Sequence, residues 1–319
     1  MKPIRILVCG TNYGRSYVQA IGREPRAYVL AGILARGSSR SHSLARTNHV
    51  PLWKTPENLP SDIDLACAAL PSSASRVVLG LLDRKIHVLC EHPQTARFLE
   101  SALKKARARG VCFHLNGHFA DLISAQTFIR KCCQVLKRDT LEFIEVIAAD
   151  RALYAALDIL RRSLGSVDCF LRRAARSAAP FSTLVGSMGD VPAVFSVQTS
   201  RRADHHPLRD SDSRYLADLR LSIAFRSGTL AMLSVAGPVI WNANYARQGA
   251  KAGSLWEVLS GAQPARAAQV RRQRIDANRR AIASLLRAAR KGATFPEQSP
   301  EHLLEVSRAW EKLGRMLRR

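Results

Sequence analysis

The chain has 319 residues, enough for about two domains, and its 47% hydrophobic and 23% charged residues suit a globular protein, not a disordered or fibrous one. Lys and Arg number 49 against 25 Asp and Glu, a net charge of +24. No run approaches the ~18 apolar residues that span a bilayer, and residues 1–10 reach a glycine turn too soon for a signal peptide, so a cytosolic protein is expected.

In chain order, Ile4–Cys9 is a short apolar run that predicts a buried strand. It breaks at Gly10-Thr11-Asn12-Tyr13-Gly14, and 15–21 continues as a helix. A second strand is predicted at 28–35 and a third at 64–70, after a loop with Pro51, Pro56 and Pro60. A helix at 77–83, a strand at 86–90, a basic helix at 100–109 and a strand at 111–115 follow. Strands joined by helices imply a parallel sheet with right-handed crossovers.

After residue 120 or so the pattern changes. Helices are predicted at 122–136 and 152–164, then alternating strands at 191–200, 219–226, 229–236 and 254–260, with Arg226-Ser227-Gly228-Thr229 as a hairpin turn. Two helices, 277–291 and 300–318, close the chain. The expected fold is α/β: an N-terminal Rossmann dinucleotide-binding domain, 1–120, and a C-terminal α+β domain, 121–319, with an open antiparallel or mixed sheet. There is no internal repeat and no low-complexity segment.

The seven cysteines are scattered, with no Cys-x-x-Cys, so neither a zinc site nor a disulfide framework is indicated. Asp204-His205-His206 sits in a polar loop with Arg209 and Asp210. Adjacent loop histidines seldom converge on one ion, and no metal is expected. The positive charge would suit nucleic acid, but it is spread along the chain and no zinc finger, RNA-recognition or helix-turn-helix signature accompanies it. The densest stretch, 266–290, alternates Arg with Ala and Leu at helical spacing, as a solvated helix face does. An acidic protein partner is a third reading.

Gly10-Thr11-Asn12-Tyr13-Gly14 joins the first strand to its helix, where a dinucleotide fold needs glycine for backbone to approach the pyrophosphate at the helix N-terminus. Asn12 stands where a middle glycine would be and tolerates left-handed backbone. The alternative is a plain strand-to-helix turn. An NAD enzyme usually carries an acid about 20 residues past the glycines, on the ribose 2′-hydroxyl. Here the second strand ends Ala35-Arg36-Gly37-Ser38-Ser39-Arg40-Ser41, without an acid. Arginine forks and hydroxyls suit a 2′-phosphate, which favours NADPH over NADH. The competing reading is an ordinary basic loop.

The strand at 86–90 runs into Glu91-His92-Pro93. A glycine turn after the first strand, followed by His87-Val88-Leu89-Cys90-Glu91-x-Pro93, resembles the glucose-fructose oxidoreductase/inositol dehydrogenase (Gfo/Idh/MocA) family, whose motif is Glu-Lys-Pro with a catalytic lysine in the sugar dehydrogenases. The lysine position is His92. With Gly10–Gly14 and Ala31-Gly32-Ile33-Leu34-Ala35-Arg36-Gly37-Ser38, this resembles the thiazolinyl imine reductase branch of siderophore assembly lines of the pyochelin and yersiniabactin kind. The resemblance covers most of the chain, most clearly 4–120 and the helix Tyr154-Ala155-Ala156-Leu157-Asp158-Ile159-Leu160.

The resemblance implies that NADPH delivers hydride to the C=N carbon of a thiazoline tethered to a carrier domain of a nonribosomal peptide synthetase, giving a thiazolidine. The ring nitrogen must gain a proton, and a histidine fits that need near pH 7 better than a lysine. His92 is the candidate acid; a structural histidine capping the turn before Pro93 is the alternative. A tyrosine proposed as proton donor in this branch aligns with Phe119, which cannot donate, so His118 beside it, His92 alone, or water must serve. Leu70, Glu91 and His92 are assigned to the cofactor with Gly10, Thr11, Asn12, Tyr13, Gly14, Arg36, Ser38, Ser39 and Arg40. Asn116, Phe119, Tyr154 and Asp158 are assigned to substrate or nicotinamide. Asp158 orients substrate, pairs with a histidine, or is a solvated acid beside Arg161 and Arg162. Trp241-Asn242-Ala243-Asn244-Tyr245 lines a pocket or packs in a core. Family members pair through the open sheet, so a homodimer is expected. The alternatives are a sugar or polyol dehydrogenase of the same family, which His92 and the Arg-rich loop disfavour, or a non-catalytic Rossmann redox sensor or nucleic-acid-binding regulator.

Overall fold

The structure, a computed structural model, describes residues 2–71, 75–174, 180–199, 219–244, 256–261, 263 and 266–318. It forms two compact units, Met1–His118 with Arg271–Leu304, and Phe119–Val270 with Glu305–Arg319.

In the first unit β1 (Ile4–Cys9), β2 (Tyr28–Leu34), β3 (Leu52–Trp53), β4 (Leu65–Ala68), β5 (His87–Glu91) and β6 (Phe113–Asn116) form a parallel sheet in the order β3-β2-β1-β4-β5-β6. The helices are α1 (Gly14–Gly22), α2 (Ser39–Thr47), α3 (Ser75–Asp83) and α4 (Ala96–Arg109). Side chains alternate between faces along each strand. Ile6, Val8, Leu65, Cys67 and Leu89 meet Tyr17, Val18 and Ile21 of α1 in one core, and the intervening residues turn to the opposite face. Strands buried on both sides explain the continuous apolar runs seen in the sequence. The order reverses between β1 and β4, and ligands bind such sheets at the carboxyl ends beside that switch point.

The sequence reading assigns everything after 120 to the second domain; the structure corrects this. The segment 271–304 belongs to the first unit. The next helix in the chain that returns to this sheet, Ala267–Lys291, carries Ile282, Leu285 and Leu286 one turn apart, and these join the β1–α1 core. Arg23 pairs with Asp276 at 2.9 Å, and Arg279 with Glu24. The basic surface of this helix is therefore one face of an amphipathic element. Further on, the Gln298 side-chain amide accepts from Leu115 N at 2.8 Å and donates to Leu115 O at 2.9 Å, occupying the free edge of β6 as another strand would.

In the second unit β7 (Leu141–Ala149), β8 (Cys169–Arg173), β9 (Phe181–Met188), β10 (Val191–Gln198), β11 (Leu219–Phe225), β12 (Gly228–Met232), β13 (Val239–Ala243) and β14 (Trp256–Ser260) form an eight-stranded sheet, β14-β13-β12-β11-β7-β10-β9-β8. Only β7 and β10 pair in parallel, so the sheet is mixed. α5 (Ile123–Leu136) and α6 (Leu153–Leu164) pack together, and α6 is buried nearly all round. Among the described residues two further α-helices follow, α7 (Ala267–Lys291), most of which belongs to the first unit, and α8 (Pro300–Arg318). The turn between β11 and β12 is Arg226-Ser227, with Phe225 paired to Gly228 and Asp139 accepting from Ser227 N at 2.8 Å. The His205-His206 loop and Tyr245 lie outside the described residues. No helix among the described residues is long and apolar enough to cross a membrane.

Candidate active site

Gly10 ends β1 at φ +86°, and a Cβ there would lie 2.3 Å from the Ala69 carbonyl oxygen and 3.3 Å from Leu70 Cδ2. The residue is glycine because the chain crosses close over the end of β4, not only because a cofactor needs backbone nearby. At Gly14 a Cβ would come to 3.0 Å from Val8 Cγ1, so this glycine seats α1 against β1. Thr11 and Asn12 remain outermost, Asn12 exposed. α1 starts without a side-chain cap and without an acid in its first turn. Its leading N–H groups and its dipole therefore suit an anion such as a pyrophosphate.

The end of β2 turns at Gly37, φ +89°. Arg36, Ser38, Ser39 and Arg40 are exposed there. Ser38 caps α2, its hydroxyl accepting from Ser41 N at 3.3 Å, so its oxygen already has a structural task. Two side chains that the sequence reading missed stand beside Gly37: from a Cβ built on it, the Lys54 ammonium nitrogen Nζ would lie 3.7 Å away and the His42 imidazole nitrogen Nε2 3.8 Å. No acid occupies the first turn of α2. Both turns thus fit a dinucleotide, with positive charge where a 2′-phosphate would sit.

At the ends of β5 and β6 the structure gathers Glu91, His92, Asn116 and His118, four of the predicted residues. Glu91, His92 and His118 side chains are only 12%, 5% and 4% exposed. Glu91 Oε1 faces His118 Nδ1 at 3.1 Å and His92 Nδ1 at 3.3 Å. Glu91 Oε2 accepts from the Tyr17 hydroxyl at 2.7 Å and from Asn116 Nδ2 at 3.3 Å. Both carboxylate oxygens therefore have protein partners, and Glu91 lies at the centre of a side-chain network. Burial pushes its carboxyl up, but the two histidines more than offset this and bring it down to about 2. Burial lowers the His118 imidazole, with Glu91 opposing the drop and His92 and then Arg274 adding to it.

His92 Nδ1 also meets the Asn116 carbonyl oxygen at 2.5 Å. Asn116 Nδ2 donates to the Tyr17 hydroxyl at 2.6 Å and Asn278 Oδ1 at 2.9 Å. Tyr13, expected at the cofactor, turns its ring inward. It stacks on His118 at 5.1 Å, and its hydroxyl donates to Asn278 Oδ1 at 3.3 Å. Burial first, then the charge of Glu91, raises both tyrosine hydroxyls well above their ordinary value, so both act as neutral donors. Asn116 Oδ1 and Asn278 Nδ2 are buried without a hydrogen-bond partner, a cost of about 1–3 kcal/mol each. Tyr17 and Asn278 escaped the sequence reading. Tyr17 stands one turn beyond Tyr13 on the same helix face, the one local signal that was there. The ligand atoms of Glu91, His92 and His118 lie within 4.8 Å of one another, near enough for a metal ion.

The remaining predicted residues lie in the second unit. Phe119 is half-buried. Tyr154 is buried, its ring edge-on to Trp310 at 6.2 Å. Asp158 is buried rather than solvated and pairs with Arg162 at 3.1 Å; Arg162 also reaches Asp121 at 3.2 Å. Trp241 packs against Phe225 at 6.1 Å and under the Lys131 ammonium at 5.4 Å, the core-packing reading.

A parallel sheet with this strand order, a glycine turn at its switch point, and a buried proton-bearing cluster at the neighbouring strand ends define a Rossmann-fold oxidoreductase that binds NAD(P). Residues 4–117 match the model of an oxidoreductase family with an NAD-binding Rossmann fold, Gfo/Idh/MocA, and residues 139–242 match that of the C-terminal domain of Irp3-like thiazolinyl imine reductase. Residues 4–117 thus form the Rossmann domain of the Gfo/Idh/MocA oxidoreductase family. No relative among curated proteins matches it. Solved structures similar to it include an oxidoreductase from Thermotoga maritima (TM-score 0.73, 11% identity, 99% of this chain and 97% of that one). Another is GenD2 from gentamicin A biosynthesis, in complex with NAD (0.71, 14%, 100% and 95%). A third is KijD10, a 3-ketoreductase from Actinomadura kijaniata, in complex with TDP-benzene and NADP (0.71, 17%, 99% and 97%). At these identities the likeness concerns the fold.

Proposed function

We propose that this protein is an NADPH-dependent thiazolinyl imine reductase that converts a carrier-tethered thiazoline to a thiazolidine in siderophore assembly. The observation that carries the reading is the pair of histidines on one buried carboxylate, where sugar dehydrogenases of the family use a lysine. The match of residues 139–242 to an imine reductase domain supports the substrate class.

When bound, NADPH supplies the hydride for the C=N carbon. The chain's own residues do the rest. The uncapped N-terminus of α1 and the Gly10–Gly14 turn hold the pyrophosphate, and Arg36, Ser39, Arg40 and Lys54 take the 2′-phosphate. His92 or His118 delivers a proton to the ring nitrogen as the carbon gains hydride; without that proton the product would be an amide anion. Imidazole titrates near neutrality and releases a proton there far more readily than a lysine. Tyr13, stacked on His118, and Tyr17, bonded to Glu91, keep the rings in place. Phe119, where a tyrosine donor is expected, leaves the acid role to the histidines. The partner is a peptide synthetase carrier domain. Carrier domains are usually acidic and present a phosphate on the pantetheine arm, and a +24 protein is steered toward both. A homodimer through the second unit's sheet, which exposes Phe143 on β7, belongs to the same reading.

The test is NADPH oxidation with a soluble thiazoline analogue beside a panel of sugars and polyols. Turnover of the thiazoline with no sugar oxidation is expected. Sugar oxidation with an inert thiazoline would move the protein to the dehydrogenases of its family.

A further inference from the structure

Glu91 Oε1 is shared by two ring nitrogens, and both are Nδ1. An ionised carboxylate oxygen only accepts hydrogen bonds, and so does the Asn116 carbonyl oxygen that also meets His92 Nδ1. A bare Nδ1 lone pair facing these oxygens would be repelled. Both rings must therefore carry hydrogen on Nδ1, whether neutral or charged. The other carboxylate oxygen is held by Tyr17 and Asn116, so the group cannot rotate away from this task.

We infer that Glu91 is a positioning residue shared by two acids: it locks His92 and His118 as Nδ1–H tautomers, so that each presents Nε2 as the nitrogen that gains and gives up the catalytic proton. The principle is that of a buried aspartate holding the histidine of a hydrolytic triad, with one carboxylate serving two rings. One imidazolium beside the ionised carboxylate makes the cluster neutral, and a second would leave a net charge in a buried site. The pair therefore carries one mobile proton. In the reaction an Nε2–H bond breaks, an N–H bond forms on the substrate, and the neutral ring is reprotonated from solvent. Among the described residues, the titratable or charged groups that interact with the cluster include Tyr13, Tyr17, Cys67, Cys90 and, through its field, Arg274. His92 Nδ1 has the Asn116 carbonyl oxygen as a further acceptor, which holds its Nδ1–H when the carboxylate is replaced.

The acid role rests on the reductase reading; the tautomers do not, and the experiment separates them. Full-length protein labelled with 15N in histidine side chains is examined by long-range 15N–1H correlation at a pH where the rings are neutral. His92→Gln and His118→Gln serve to assign the signals. In wild type both rings are expected as Nδ1–H; an Nε2–H pattern at either overturns the inference, whatever Glu91 variants do. In Glu91→Gln, His118 is expected to shift toward Nε2–H while His92 stays Nδ1–H. An unmoved His118 would show that something other than Glu91 sets its tautomer. The same variant should lose 10-fold or more in kcat on the thiazoline analogue while its NADPH Kd changes less than 2-fold. A weakened NADPH Kd would return Glu91 to the cofactor site, and an unchanged kcat would remove its positioning role. If wild type does not turn over thiazoline at all, the function is wrong but the wild-type spectrum still decides the tautomers.

Discussion

Replacing Glu91 by Gln should change how the fold responds to acid. The carboxyl lies at about 2 in the folded protein against 4.5 as its ordinary value. A depressed carboxyl contributes stability that is fully present above its unfolded value and is lost as pH falls through the folded one. Its whole contribution is about 3 kcal/mol at neutral pH, at roughly 1.4 kcal/mol per pH unit. Between pH 5 and pH 3.5 on the order of 1 kcal/mol of this disappears. Glutamine does not titrate, so the wild-type advantage over Glu91→Gln should shrink by that amount across this window. Other acids, such as Asp83 with its Lys105 and Arg109 partners, act equally in both proteins and cancel in the difference. His118, depressed by burial, adds its own rise of stability with pH below its ordinary value, so the comparison is made in a His118→Gln background, where that rise is absent. The assay is urea unfolding followed by circular dichroism at three or four pH values. A difference that stays constant from pH 5 to 3.5 would mean that Glu91 is not held ionised, and the histidine network would lose its centre.

Gly10→Ala should destabilise by about 3 kcal/mol or more, since it combines a left-handed backbone with a Cβ 2.3 Å from a carbonyl oxygen; a melting temperature within a few degrees of wild type would contradict the close crossing. Lys54→Ala should weaken NADPH binding about tenfold, the loss of one charge-assisted contact, and leave NADH unchanged, while Arg36→Glu should reduce or reverse the preference; fluorescence titration with both nucleotides reads this, and equal wild-type affinities would remove the 2′-phosphate assignment. Arg162→Met should cost about 1–3 kcal/mol by removing the cation that lies 3.1 Å from Asp158 and 3.2 Å from Asp121, measured by denaturant unfolding, and a near-neutral result would mean that the pair is solvated.

The Rossmann half of the fold was legible because strands buried on both faces show as apolar runs. α2 and β3 were not: α2 is polar, held by the Ser38 cap, and β3 has two residues. β7 escaped because Phe143 and Ile147 put apolar residues on its less buried face, opposite Ile144, Val146 and Ala148, and so blur the alternation. The return of α7 to the first sheet is a long-range packing event; its apolar stripe was visible, its partner was not. In the site, Glu91-His92 was legible as a motif and His118 as the neighbour of a missing tyrosine. Asn278, bonded to Asn116 162 positions away, and Lys54, brought to Gly37 by β3 pairing, carry no local pattern.

The most direct measurement is kcat for a carrier-tethered thiazoline in wild type, His92→Ala, His118→Ala and the double variant, with the NADPH Kd of each. The double variant should lose on the order of 100-fold or more in kcat when protonation limits the rate, with NADPH binding unchanged. If both single variants and the double variant turn over at the wild-type rate, the proton comes from solvent and the histidine pair is not the catalytic acid.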